Sequence, residues 1–289
     1  MAAKNKQMYL FLLPAMILFT IFVFMPFYEG IRISFTNWDG YSQSFDFIGF
    51  FNYATLLENE LFVIGMKNTL IYGFACTIIQ NVLGLLYALF VNKKFAGRNL
   101  VRLIIYMPAI IAGIIMGYMM YGIFQYNGGA LNDIMQLFNA EKIDWFGSGN
   151  RAVLIIVIVN SLQFVGVAMM IYLAGLQNIP SSLVEAAQLD GATSRQILKN
   201  VTLPLLIPAI TSSFLINIIG GLQLFGLIVA LTNGGPGIST HSMATAINNM
   251  HFWSQNAGQA AAAGMVLFVM IFVISLMMNI FFNKKDVDM

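Results

Sequence analysis

Long apolar runs alternate with short polar stretches along this chain. A helix that crosses a bilayer needs roughly 20 predominantly apolar residues. Runs of that kind fall at 8–27, 68–91, 100–124, 152–177, 204–231 and 260–282, and none contains a carboxylate. The pattern predicts an all-α polytopic membrane protein with a short N-terminal stretch (1–7), a six-span region (8–282) and a C-terminal tail (283–289). The first run follows Lys4 and Lys6, as the core of a signal peptide would. It is long, however, and no small-residue cleavage site precedes Glu29, so it is read as a retained span.

The fourth and fifth runs are separated by a polar island, residues 180–204, PSSLVEAAQLDGATSRQILKNVTLP. Pro180 disfavours helix in the residue before it and so ends the fourth span. Ser182 and Glu185 have the spacing of a capping box, as do Thr193 and Gln196. Asp190-Gly191 supplies a helix stop, because glycine accepts the left-handed conformation such a stop uses. The island therefore predicts two short helices joined by a turn and facing water. Residues 28–62 carry Trp38, Tyr41, Phe45, Phe47, Phe50, Phe51 and Tyr53, which predicts a packed or interfacial segment. Turn signals stand at Asn127-Gly128-Gly129, Trp145-Phe146-Gly147 and residues 232–237.

Composition agrees with the pattern: 59% of residues are hydrophobic and 9% charged, with mean hydropathy +0.79. A net charge of +2 gives no footprint for nucleic acid. The single cysteine, Cys76, excludes an internal disulfide and reads as a small buried apolar residue. His241 and His251 lack neighbouring ligands and read as isolated loop histidines. No Gly-Lys pair occurs, so there is no phosphate-cradling P-loop, and there is no H-E-x-x-H. With no intramembrane carboxylate to carry protons, energy must come from a partner, or the protein is passive. No cofactor and no catalytic residue is expected.

Loop charge predicts orientation. In a six-span arrangement Lys4, Lys6, Lys93, Lys94, Arg98, Arg102, Arg195, Lys199, Lys284 and Lys285 share one side. The other side holds Arg32, Lys67, Lys142 and Arg151. The positive-inside rule then places both termini and the 180–204 island in the cytoplasm.

Polar residues inside a span are costly unless they face a cavity or another helix. In the fourth span Asn160 and Gln163 share a face, with Ser161 adjacent. In the fifth, Asn217 with Gly220 and Gly221 forms a second polar or open face. Gln80 and Asn81 sit mid-way along the second span, and Gln223 lies further round the fifth. Amides offer donors and acceptors to hydroxyls, glycines allow close approach, and Phe164 or Phe225 could cover the apolar face of a sugar ring. The same amides would serve equally as interhelical hydrogen bonds, a common packing device in membrane bundles.

The island resembles the EAA loop of ABC-importer permeases, E-A-A, three residues, Gly, nine residues, Ile, one residue, Leu-Pro. Glu185, Ala186, Ala187, Gly191, Leu203 and Pro204 match, Asp190 precedes the glycine, and Val201 replaces the isoleucine. Residues 12–40, 172–192 (YLAGLQNIPSSLVEAAQLDGA) and 231–237 (LTNGGPG) are similar to carbohydrate-type members. The resemblance implies a type I importer permease in a bacterial cell membrane whose island docks ATP-hydrolysing subunits. It also implies a second related permease, an extracytoplasmic sugar-binding protein and a sugar substrate. Asn160 falls where the family has an asparagine sugar contact; Asn217 and Gly221 fall at contact positions without matching the residue type. From the residues alone, a facilitator or secondary transporter and a non-transporting scaffold stay open, as does a permease for another solute such as a glycerol phosphate ester.

Overall fold

The computed structural model describes residues 2–283. Lys284 and Lys285, and with them the expected C-terminal tail after Asn283, lie outside the described residues. Among those described, extended pairing is confined to one antiparallel bridge, Thr36 with Phe47. The chain divides into two compact units, Met1–Val63 with Ala246–Phe268, and Ile64–Thr245 with Val269–Met289.

In the first unit, α1 (Ala2–Phe19) continues through a π turn (Thr20–Phe24) into α2 (Met25–Ser34). The turn has local causes. Thr20 Oγ1 donates to the Met16 carbonyl at 2.8 Å, and Pro26 brings no N–H to the ladder. The aromatic segment that follows is packed, as its composition predicts. Asn52 in α3 (Phe51–Leu56) donates to the Ser34 and Thr36 carbonyls at 2.9 and 2.8 Å. Phe35 lies against Phe47, Phe50 and Tyr53. The Asp39 carboxylate accepts from the Ser42 hydroxyl and from the Ser42 and Tyr41 amides. Those bonds favour its charged form and hold its pKa down at about 2.

The second unit centres on one buried helix. In order come α4 (Glu60–Asn92), α5 (Arg98–Tyr106), a 3₁₀ turn (Met107–Ile110), α6 (Gly113–Phe124), α7 (Ala130–Leu137) and α8 (Gly149–Gln177). Then follow α9 (Ser181–Leu189), α10 (Ser194–Ile197), a π turn (Leu198–Thr202), α11 (Leu203–Leu205) and α12 (Ile207–Leu222). Last is α13 (Gly226–Leu231), while α14 (Met243–Phe252) and α15 (Ala257–Asn283) are divided between the two units, which change over before Ala246 and after Phe268. Helix α8 is apolar all round and packs against α5, the 3₁₀ turn, α12 and α13. Close approach requires small residues. A Cβ on Gly166 would stand 2.5 Å from the Ile105 carbonyl, and one on Gly84 2.6 Å from the Ala168 Cβ. With no hydrophobic drive between helices in lipid, such contacts supply the attraction.

Four helical stretches are long and apolar enough to cross a membrane as they stand, Phe11–Ser34, Glu60–Asn92, Gly149–Gln177 and Ala257–Phe282. The third and fifth expected spans are not straight helices. Arg98–Ile110 and Gly113–Phe124 meet at 100°, and Ser194–Leu205 and Ile207–Leu222 at 65°. Counting each bent pair as one crossing gives six. Both bends have proline causes: Pro108 heads the 3₁₀ turn, and Pro204 and Pro208 flank Leu206. The expected fifth span is also cut short. Helix α12 ends at Leu222, and residues 223–225 break the chain before α13 begins.

Candidate functional site

The polar island folds as two short helices and a turn. Helix α9 begins at Ser181 behind Pro180, without a side-chain cap. The expected Ser182–Glu185 capping box is therefore absent, because Pro180 stands at the cap, starts the helix two residues earlier and puts Ser182 inside its first turn. The second expected box is present: Thr193 and Gln196 cap each other around α10. Between them the helix stop is a Schellman motif. The Gly191 and Ala192 amides donate to the Gln188 and Ala187 carbonyls at 3.0 and 2.9 Å, and Gly191 takes φ +79°. Nothing lies within 4 Å of a Cβ built there, so glycine serves conformation rather than space.

This hairpin presents an exposed face. Glu185, Ala186 and Asp190 are exposed, and Ala187 is half-buried. Leu189 is 90% exposed at the end of α9, and Leu183 is also exposed. Leu189 thus puts an apolar side chain next to the Asp190 carboxylate at the end of this small helix. Leu189 escaped the sequence reading because a single leucine in a polar stretch carries no periodic signal. Leu203 and Pro204, expected to open the fifth span, instead lie half-buried on the island side of the 65° bend. The missing proline N–H groups turn the chain before α12 starts.

Mid-way along α8, beside the C-terminal end of α12, the chain forms a cavity of about 360 Å³. It lies within the size range of small-molecule sites. Asn160, Gln163, Phe164, Asn217, Gly220 and Gly221 all line it, together with Gln80, Gln223, Phe225 and Gly113. Ser161 does not; it is buried with 1% exposure outside the lining. Among the described residues, no ionisable side chain lines the cavity.

The hydrogen-bond inventory says what a ligand would meet. Gln80 Nε2 donates to the Asn160 side-chain oxygen at 3.1 Å and to its backbone carbonyl at 3.2 Å. That occupies the Asn160 acceptor and leaves its NH₂ as the available donor. Gln163 Nε2 donates to the Ile111 carbonyl at 2.8 Å, and Asn217 Nδ2 to Ser213 at 3.3 Å. The buried oxygens of Gln80 and Gln163 have no partner. Buried acceptors without partners are rare, and a donating ligand reaches these two only if the side chains turn toward the cavity.

The Gln163 bond also explains how the break in the third span survives. Ile111 is extended between the 3₁₀ turn and α6, and its carbonyl accepts no backbone bond within a helix. At membrane depth such a group must be satisfied by protein. Gln163 does so from α8. Ser242 does the same for the other break, donating to the Leu224 carbonyl at 2.7 Å. Gly221 and Gly220 play different parts. A Cβ on Gly221 would reach 2.9 Å from Gly73 Cα in α4, so helix packing demands glycine there. Nothing lies within 4 Å of a Cβ on Gly220. Asn81 is committed elsewhere, accepting from Tyr172 at 2.6 Å and donating to the Thr77 carbonyl at 2.8 Å.

His241 is tucked beneath the 232–237 turn, where a Cβ on Gly234 would collide with its ring. Its Nδ1 lies 3.0 Å from Thr245 Oγ1, and burial pushes its pKa below the ordinary histidine value.

Residues 80–287 match the family described as binding-protein-dependent transport system inner membrane component. The chain is 34% identical to the multiple sugar-binding transport system permease protein MsmF of Streptococcus mutans, over 95% of this chain and 94% of the relative. It is 35% identical to the probable starch degradation products transport system permease protein AmyD of Thermoanaerobacterium thermosulfurigenes, over 99% and 97%. A chain of a bacterial ABC transporter involved in the import of the acidic polysaccharide alginate superposes with TM-score 0.84 and 25% identity, covering 98% of this chain and 96% of that one.

Proposed function

The chain belongs to the binding-protein-dependent transport system inner membrane components, and from that premise we propose that it carries a neutral saccharide through the cavity between α8 and α12. It is a permease subunit with the type I ABC importer fold, a transport component of the membrane rather than an enzyme. ATP hydrolysis belongs to a separate subunit, and a second permease and an external binding protein complete the assembly.

The observation that carries the substrate reading is the set of amides around the cavity. Asn160 offers a donor, Gln163 and Gln80 line the cavity with amides whose unpaired oxygens a side-chain rotation would present, and Phe164 and Phe225 supply apolar faces. That combination suits a ring with hydroxyl edges, and the absence of ionisable lining suits a neutral one. Relatives named for sugars and starch products agree with it.

Glu185, Ala186, Ala187, Asp190, Gly191, Leu203 and Pro204 form the proposed ATPase-coupling segment, with α9 as the docked helix. ATP binding would close the ATPases and drag this hairpin, rocking the spans from inward- to outward-facing. Loop charge supports a cytoplasmic position for the hairpin and for both termini. Uptake of a panel of labelled neutral sugars, in cells with wild-type chain and with Asn160→Ala, tests the reading. We expect uptake of one sugar to require the chain and to fall in the variant. An unaffected panel would remove the carbohydrate assignment and leave the permease assignment standing.

A further inference from the structure

A second cavity, of about 680 Å³, opens on the second unit at the Gly149 end of α8. The deep cavity at Asn160 lies about 17 Å along that helix, at 1.5 Å per residue. The coupling hairpin follows the opposite end. The two cavities share walls: Gly113 and Leu227 line the deep one, and Tyr118, Tyr121 and Ala230, further along the same two helices, line the outer one. Between them α6 and α13 touch at Gly117, where an added Cβ would lie 2.5 Å from the Ala230 Cβ. The outer cavity thus stands in line with the deep one, behind a backbone-close seal.

The chemistry of its walls is specific. Tyr118, Tyr121, Tyr126 and Phe146 line it, and the Tyr121 and Phe146 rings stack with centroids 6.0 Å apart and planes within 7°. Tyr118 is 65% exposed and Tyr126 48%. Among them lies Asp144. Its Oδ1 accepts from the Phe146 amide at 3.2 Å, and Arg151 braces the turn by donating to its carbonyl at 2.7 Å. Among the described residues, Oδ2 takes no hydrogen bond. Asn233, held at φ +47° by the turn after α13, sets its exposed amide on the rim. Lys142 Nζ lies 5.8 Å from the Tyr126 ring centroid.

We propose that this aromatic cleft is an outer saccharide-binding subsite, where a sugar pauses before entering the deep cavity. Flat rings offer a pyranose its apolar face, while the Asp144 carboxylate and the Asn233 amide take its hydroxyls. A lipid-facing role is disfavoured by the carboxylate, which hydrocarbon would not tolerate. The proposal rests on the carbohydrate reading above.

The test is saturation-transfer NMR on the full chain in lipid nanodiscs, with maltotriose, raffinose and xylotriose as probes. Wild type is compared with Asn160→Ala, with the double variant Tyr118→Ala/Tyr126→Ala, and with the two combined. Both tyrosines are exposed, so their truncation opens no core, and thermal unfolding of each variant checks this. For the probe that binds wild type, we expect Asn160→Ala to retain a saccharide signal. The tyrosine variant should bind about tenfold more weakly, and the combined variant should show none. Equal binding by wild type and the tyrosine variant overturns the outer subsite and leaves the deep site untouched. No signal from wild type with any probe overturns the carbohydrate reading and this subsite together.

Discussion

Replacing Gln163 with leucine separates two duties that one side chain performs. Its Nε2 satisfies the Ile111 carbonyl at 2.8 Å, and its buried Oε1 has no partner. Leucine keeps the helix propensity and fills similar volume but removes both polar atoms. Orphaning the Ile111 carbonyl costs about 1–3 kcal/mol. Removing the unpaired Oε1 returns part of that, since its own desolvation penalty disappears. The empty protein should therefore lose only about 1 kcal/mol, near the low end. A bound sugar, by contrast, meets a cavity wall that has lost its amide, while the break between α5 and α6 loses its anchor. The expected result is a thermal unfolding midpoint close to wild type in detergent with uptake reduced at least about tenfold, as 1.4 kcal/mol corresponds to tenfold. Wild-type uptake by Gln163→Leu would refute the reasoning at both points. A large drop in the midpoint with proportionate loss of uptake would reduce Gln163 to a packing residue.

Three further outcomes follow from the geometry. Leu189→Glu should leave the midpoint of the isolated permease unchanged, because the side chain is 90% exposed. It should weaken co-purification of the ATPase subunit, and intact co-purification would place the docking contact elsewhere. Gly191→Ala forces a Cβ into a φ of +79° at a cost of about 1–2 kcal/mol, so transport per ATP hydrolysed should fall. Gly191→Asn, which tolerates that conformation, should recover most of it; if both variants fail alike, space rather than conformation is the constraint. Burial holds the pKa of folded His241 below the ordinary histidine value of 6.5, so the unfolded chain binds the proton more readily and stability falls as pH drops through that value. Thermal unfolding should show this slope in wild type and lose it in His241→Gln, and identical profiles would assign it to other groups.

The legible parts of this protein were those that depend on a run of residues or a fixed spacing. Six apolar runs, the Thr193–Gln196 cap and the Gly191 stop could be read because bilayer thickness and local hydrogen bonding act on neighbours in sequence. The face shared by Asn160 and Gln163, and that of Asn217 and Gly220, followed from the helix period, and the structure brings these four to one cavity. Ser161, one residue from Asn160, could not be sorted by period alone; its placement outside the cavity depends on which flank of α8 meets which neighbour.

What only the tertiary structure decided are the bends and the pairings across helices. Pro108, Pro204 and Pro208 announce that a helix is weakened, but not whether it continues, kinks by 65° or turns through 100°. At the 100° bend the choice depends on another helix supplying a hydrogen bond, as Gln163 does for Ile111, and at the separate break after α12 Ser242 does the same for Leu224. The same holds for Gly221, whose glycine the backbone of α4 requires, and for Gln80, which turns Asn160 into a donor. Each is a contact between residues far apart in the chain. Sequence supplies the polar groups and the weak points, while packing in a medium without water decides which of them must meet.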